Sequence, residues 1–204
     1  MEKRTQNKVI RTQKIFEAAM KLFGEKGFLQ TTLQDIAEAA GVSTRTLYLY
    51  FPTKESILHM ASKRSIDETE RFVELLPVGL PVKRKILLTI MRNLELVYEP
   101  GFFLTVHASN KESSELARQM EMENMRRYED VFVSILKQEQ RNRGIENGAD
   151  CRMAAAMVVA MHRYFTKKIY CEDENGKFDF QKIEKVFEEA LEFGWPSIEK
   201  NLLS

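Results

Sequence analysis

The chain has 204 residues, 44% hydrophobic and 30% charged, with 31 Lys and Arg set against 30 Asp and Glu. That length suits one domain or two small ones with a buried core, and the apolar fraction with thirteen Phe excludes a disordered chain. The net charge of +1 hides an asymmetry: residues 1–54 carry nine basic and five acidic side chains, net +4, which leaves the remainder at −3.

No repeat period or low-complexity tract argues for a solenoid or fibre. The N-terminus is polar and lacks the apolar stretch of a secretory signal. The longest purely apolar run, residues 153–161, is far short of the ~20 residues that span a bilayer. Cys151 and Cys171 fall in what reads as one helix. At ~1.5 Å per residue they stand ~30 Å apart, too far for a disulfide. The expectation is a cytoplasmic protein with free thiols and no membrane association.

Glycines and prolines punctuate the chain at Gly24/Gly27, Gly41, Pro52, Pro77/Gly79/Pro81, Pro100/Gly101, Gly144/Gly148, Gly176 and Gly194/Pro196. Between these points apolar residues recur at the 3.6-residue period of a helix, with no sustained alternation. Ile15, Ala19, Leu22 and Phe23 share the first face, and Leu33, Ile36, Ala37 and Ala40 the second. Met125, Tyr128, Phe132 and Ile135 form a later stripe, and Ile183, Val186, Phe187, Ala190 and Leu191 the last. Helix starts are predicted at Thr31-Thr32, with Gln34 and Asp35 three residues on, and at Ser43, Thr53, Asp150 and Asp179. The polar stretch 109–115 is expected to break the segment 102–143. The pattern predicts an all-α protein of about nine helices.

Residues 33–51 carry the first functional signal. A short amphipathic helix runs into Ala39-Ala40-Gly41-Val42-Ser43, and a second short helix, Thr44-Arg45-Thr46-Leu47-Tyr48-Leu49-Tyr50-Phe51, follows. This is the order of a helix-turn-helix. Gly41 tolerates a left-handed turn, and Val42 and Leu47 anchor the second helix on the first. Ser43, Thr44, Arg45, Thr46 and Tyr48 are left facing outward, able to donate to phosphates and base edges, with Arg45 suited to bidentate pairing with guanine. Lys3, Arg4, Lys8 and Arg11 suit either an arm along flanking DNA or a solvated terminus. Periodicity alone also allows an ordinary helical hairpin, so a rival reading is a helical small-molecule sensor that does not touch DNA.

Thr31-Thr32-Leu33-Gln34-Asp35-Ile36-Ala37-Glu38-Ala39-Ala40-Gly41-Val42-Ser43, then Thr46-Leu47-Tyr48, Tyr50-Phe51 and Lys54-Glu55, resembles the N-terminal signature of the tetracycline-repressor (TetR) family. The likeness covers about residues 10–60. It implies a helix-turn-helix DNA-binding domain over residues 1–54 and a ligand-binding, dimerising helical body over 55–204. It further implies that Thr32, Tyr48, Tyr50 and Lys54 hold the phosphate backbone and that Ser43, Thr44, Arg45 and Thr46 enter the major groove. Arg45 stands where the family commonly carries a small residue, often Gly, which implies an operator preference particular to this chain. The implied partners are double-stranded operator DNA, a small-molecule effector and a second copy of the chain. Induction is implied to run through the helix that begins near Thr53.

In the body, flexible thioethers and aromatic rings suit an adaptable apolar pocket. Its candidates are Met91, Phe102, Phe103, Met122, Met125, Met161 and Phe165, with His107 and His162 as polar specifiers. Each of these residues also suits plain core packing. The all-round apolar run 153–161 and the stripe 183–191 fit the place of the family's dimer helices. Met153, Ala156, Met157, Ala160, Val186, Phe187, Ala190 and Leu191 are the candidate contacts. No catalytic site, cofactor or metal is expected: the His residues at 59, 107 and 162 lack ligand spacing, and no nucleophile or phosphate-loop motif is present.

Overall fold

A computed structural model of the chain describes residues 2–97, 115–145, 150–172 and 179–203. Phe102, Phe103 and His107 lie outside the described residues, as does the 109–114 part of the expected polar break. Eight helices and no strand appear among the described residues: α1 Glu2–Lys26, α2 Leu33–Ala39, α3 Thr44–Tyr50, α4 Lys54–Glu74, α5 Val82–Val97, α6 Glu115–Asn142, α7 Arg152–Glu172 and α8 Phe180–Leu202. They divide into two compact units, Met1–Ser65 with Glu95–Asn124, and Ile66–Leu94 with Met125–Ser204, so that α4, α5 and α6 each contribute to both. Among the described residues no helix is long and apolar enough to cross a membrane.

The first unit is built on local signals. The stripe Ile15, Ala19 and Phe23 of α1 is buried against Ile36 and Ala37 of α2, Leu47 of α3, and Ile57, Leu58 and Ala61 of α4. Fully burying an aliphatic or aromatic side chain of this size contributes ~1.5–3 kcal/mol. Gly27, at φ +81°, ends α1, and Gly24 is carried inside the helix. The buried Thr31 hydroxyl then donates to the Gly27 carbonyl at 2.8 Å, fixing the turn into α2. Two further contacts hold α4 to the earlier elements: the Arg64 guanidinium lies 4.4 Å from the Phe16 ring centroid, and the Lys54 Nζ donates to the Phe28 carbonyl at 2.8 Å. Lys3, Arg4, Lys8 and Arg11 lie within α1, which begins at Glu2.

The second unit packs Ile86 and Ile90 of α5, Phe132 and Leu136 of α6, Ala155 and Val158 of α7, and Ile183 and Phe187 of α8 into one core. Cys151 is buried just before α7, with its Sγ donating to Gln140 Oε1 at 3.3 Å, and burial pushes its thiol pKa up. Asp179 caps α8 as expected, accepting from the Gln181 and Lys182 amides, whereas Asp150 accepts from the Arg152 amide one residue before Cys151, which holds the position preceding α7. Gly194 and Pro196 do not cut the chain, because α8 runs through both to Leu202. Trp195, Ile198 and Leu202 continue the buried face, and that packing outweighs the ~3 kcal/mol an interior proline costs a helix.

Candidate nucleic-acid interface

The turn between α2 and α3 follows from a few residues. At the start of α2, Thr32 Oγ1 accepts from the Asp35 amide at 3.0 Å while Asp35 Oδ2 accepts from the Thr32 amide at 2.9 Å, a reciprocal capping box. The Thr32 hydrogen bonds, with Lys26 at 3.5 Å adding to them, hold the Asp35 carboxyl below the usual carboxylate range. At the end of α2, Gly41 takes φ +65°, its amide donates to Glu38 O, and the Val42 amide donates to Ala37 O. That pattern is a Schellman ending, and it needs a residue without a Cβ at the left-handed position. Ser43 then caps α3, its Oγ accepting from the Thr46 amide at 3.1 Å and standing 2.8 Å from Thr46 Oγ1.

These constraints set the rotation of α3. Leu47 is fully buried, Tyr50 packs half-buried on the same core and Phe51 closes it. The opposite face presents Thr44, Arg45, Tyr48 and Leu49 to solvent, Tyr48 at 53% and Leu49 at 79% exposure. Thr46 sits at the flank, its hydroxyl engaged with Ser43. An arginine, hydroxyls and a phenol share one exposed face, beside an apolar tip, and these are the side-chain types that can pair with base edges and touch a thymine methyl. Leu49 was not singled out in the sequence, because a leucine in a short apolar-polar helix reads as core. Thr32 is exposed at the start of α2, and Lys54 is partly exposed, its ammonium also 4.6 Å from the Phe28 ring centroid.

The candidate pocket residues are distributed differently. Met91 is buried in the second unit's core, Met125, Met161 and Phe165 pack half-buried against it, and Met122 is 70% exposed. His162 is buried with its ring centroid 5.4 Å from that of Tyr128 and 5.8 Å from that of Phe187. Both its ring nitrogens lack a hydrogen-bond partner, as do the Tyr128 and Thr166 hydroxyls. Burial, with a smaller push from the Arg163 charge, lowers the His162 pKa to about 3, so the ring is neutral; burial raises the Tyr128 pKa, which keeps the phenol protonated. In the sequence Tyr128 reads as one member of a helical apolar stripe, and Thr166 carries no signal of its own. The available signal was a hydroxyl one helical turn beyond His162, facing an aromatic stripe.

Of the candidate dimer contacts, Met153, Met157 and Ala160 of α7 are exposed, while Ala156, Val186 and Ala190 are half-exposed. Phe187 and Leu191 are buried inside the chain's own core. Tyr164 at 62% and Phe193 at 93% exposure extend the outward apolar face of the two helices.

Comparison with known proteins agrees with this reading of the head. Residues 15–61 match the family model for bacterial regulatory proteins of the tetR family. The fatty acid metabolism regulator protein of Bacillus subtilis is 29% identical over 146 residues, 71% of this chain and 75% of that protein. The HTH-type transcriptional regulator HbdR of Aromatoleum is 41% identical over 76 residues, 36% of this chain and 33% of that protein. A crystal structure of the transcriptional regulator FadR from Bacillus subtilis in complex with stearoyl-CoA superposes with a TM-score of 0.70 at 24% identity, covering 88% of this chain and 96% of that one. From its helix-turn-helix, its all-helical architecture and these relatives, the chain carries over residues 15–61 the DNA-binding domain of the tetR family of bacterial regulatory proteins and is a DNA-binding transcriptional regulator, not an enzyme.

Proposed function

We propose that the chain is a cytoplasmic, homodimeric repressor that leaves a pseudo-palindromic operator when a largely hydrophobic effector, a long-chain acyl-CoA, binds its body. The observation that carries the DNA half is the outward face of α3, where Thr44, Arg45, Tyr48 and Leu49 stand exposed opposite the buried Leu47. Ser43 and Thr46 flank that face for the groove, and Thr32, Tyr50 and Lys54 are the proposed phosphate contacts. Phosphate contacts supply salt-sensitive affinity and base edges supply the choice of sequence. Two heads on a two-fold axis read half-sites ~34–36 Å apart, one helical turn of DNA.

The dimer is supported by an unpartnered apolar face. Met153, Met157, Ala160 and Tyr164 recur along one side of α7, and Val186, Ala190 and Phe193 recur along α8, which packs beside it. Exposed apolar surface of this extent marks an interaction site, and a two-fold contact is self-complementary. The domains assigned at 1–54 and 55–204 are the working division, with α4 shared between the two units.

The effector class is supported by the regulators of fatty acid metabolism among the relatives, one of them in complex with stearoyl-CoA. Met125, Met161 and Phe165, half-buried against the core, are apolar side chains of the kind an acyl chain packs on. Coupling is assigned to α4. Its body half is held by Arg127 of α6, whose Nη2 lies 2.7 Å from Asp67 Oδ1 and 3.0 Å from Glu70 Oε2, and by Asn93 of α5, which donates to Thr69 Oγ1 at 3.1 Å. A ligand that moves α6 then moves the helix that begins in the head.

The test is operator enrichment from a random DNA library, followed by titrations at rising salt with and without stearoyl-CoA. The proposal expects a strong salt dependence and release by the ligand. Binding that is salt-independent, or no enriched sequence, contradicts it.

A further inference from the structure

We infer that Tyr128, His162 and Thr166 form a buried, uncharged hydrogen-bonding site that receives the carbonyl oxygen of a long-chain acyl thioester. The inference rests on the acyl-CoA reading above and adds how the body recognises the acyl group.

Four polar atoms carry it: the Tyr128 hydroxyl, both His162 ring nitrogens and the Thr166 hydroxyl, all without a hydrogen-bond partner in residues no more than 7% exposed. A buried polar atom left unpaired costs about 1–3 kcal/mol, and folded proteins carry few of them. Here they are concentrated. Thr166 lies one helical turn beyond His162 on the same side of α7, and the His162 and Tyr128 ring centroids are 5.4 Å apart. The surroundings are aromatic, with Phe132 at 5.1 Å from Tyr128 and Phe187 at 5.8 Å from His162, centroid to centroid.

The chemistry of the trio selects its ligand. A neutral imidazole offers one N–H and one acceptor nitrogen, and the phenol and the threonine hydroxyl each offer an O–H. A carbonyl oxygen accepts two such bonds through its two lone pairs. It brings no charge into an apolar wall, and its acyl chain can lie along Phe165, Met125 and Met161. A free carboxylate would bring a negative charge to a place whose three polar side chains are all neutral, at a desolvation cost of several kcal/mol. The site therefore distinguishes the activated thioester from the free acid.

The experiment titrates full-length protein calorimetrically with three probes: stearoyl-CoA, its S-octadecyl thioether, in which a methylene replaces the carbonyl, and stearate. Wild-type protein is expected to bind the thioester about threefold to tenfold more tightly than the thioether, the worth of one or two net hydrogen bonds. Stearate is expected to bind at least tenfold more weakly than the thioester. Tyr128→Phe should reduce thioester affinity and leave thioether affinity unchanged, so that the preference collapses. Its unliganded melting temperature should not fall, because the change removes an unpaired hydroxyl and keeps the ring packing. Equal affinities for thioester and thioether, or an equal effect of Tyr128→Phe on both, would overturn the inference and leave the effector class standing. Stearate binding as tightly as the thioester would also overturn it. Failure of both conjugates to bind removes the effector class and the inference together.

Discussion

The Lys54 ammonium donates to the Phe28 carbonyl at 2.8 Å and stands 4.6 Å from the centroid of the same residue's ring. One side chain at the start of α4 thus fastens the turn between α1 and α2, which in turn sets where α3 is presented. Lys54→Ala is expected to destabilise the protein by about 1–2 kcal/mol, since hydrogen bonds to charged groups contribute more than neutral ones. Urea denaturation measures this, and DNA affinity should fall by the same factor for every sequence in an operator library. An unchanged denaturation midpoint would show that the contact does not brace the head.

Arg45 has the opposite profile. It is exposed on α3 and its removal leaves the head core of Leu47, Ile36 and Ile15 untouched. Arg45→Ala should leave the melting temperature within about a degree. It should lose about 1–3 kcal/mol of discrimination at one base position of each half-site, read by repeating the operator enrichment with the variant. A uniform loss across all positions would assign Arg45 to the phosphates.

The head was legible because its signals are local. Thr32 with Asp35, Gly41 at a left-handed turn, and Ser43 before Thr46 each fix backbone within a few residues, and together they set which face of α3 looks outward. The body was less legible because its decisions are made by packing. The run 153–161 is apolar all round, so its period could not say that Ala154, Ala155, Val158 and Val159 point inward while Met153, Met157 and Ala160 point out. The stripe 183–191 is one-sided, and its likeness to the family's dimer helix put Phe187 and Leu191 among the candidate contacts, where a period does not tell a face buried in the chain's own core from one buried by a partner. Pro196 read as a helix end because its cost is local, whereas the compensation from Trp195, Ile198 and Leu202 is tertiary. Tyr128 and Thr166 escaped notice because an unpaired hydroxyl is visible only once its neighbours are known.

The neutral, buried His162 gives the second unit an acid sensitivity. Its pKa lies near 3 in the folded chain against an ordinary value of 6.5, so between those limits the unfolded chain binds a proton that the native one does not. Its contribution is complete above pH 6.5 and is lost as pH falls, by about 1.4 kcal/mol for each unit below that value. The stability of His162→Phe relative to wild type should therefore rise by about 2 kcal/mol between pH 6.5 and pH 5, measured by denaturant unfolding. Parallel pH profiles for the two proteins would mean that the ring is protonated in the native state.

Arg127 adjoins Tyr128 in sequence while its guanidinium holds Asp67 and Glu70 of α4, and those interactions raise its pKa, the Asp67 hydrogen bond foremost. Arg127→Met keeps much of the aliphatic stem and removes the grip on α4. Operator affinity without ligand should change by less than about threefold, since partly exposed ion pairs are worth roughly 0–1 kcal/mol. The factor by which stearoyl-CoA weakens DNA binding should shrink toward one. An undiminished factor in anisotropy titrations would move the coupling away from this contact.

In the proposed function one chain holds two sites that oppose each other, and reciprocal titration reads the coupling between them. Operator affinity is measured with no stearoyl-CoA and with saturating stearoyl-CoA, and stearoyl-CoA affinity with no operator and with saturating operator. Thermodynamic linkage requires the two ratios to be equal, and regulatory couplings typically amount to a factor of about 5–150. The expected result is a reduction of that order, the same in both directions. Stearoyl-CoA binding that leaves operator affinity unchanged would contradict the account.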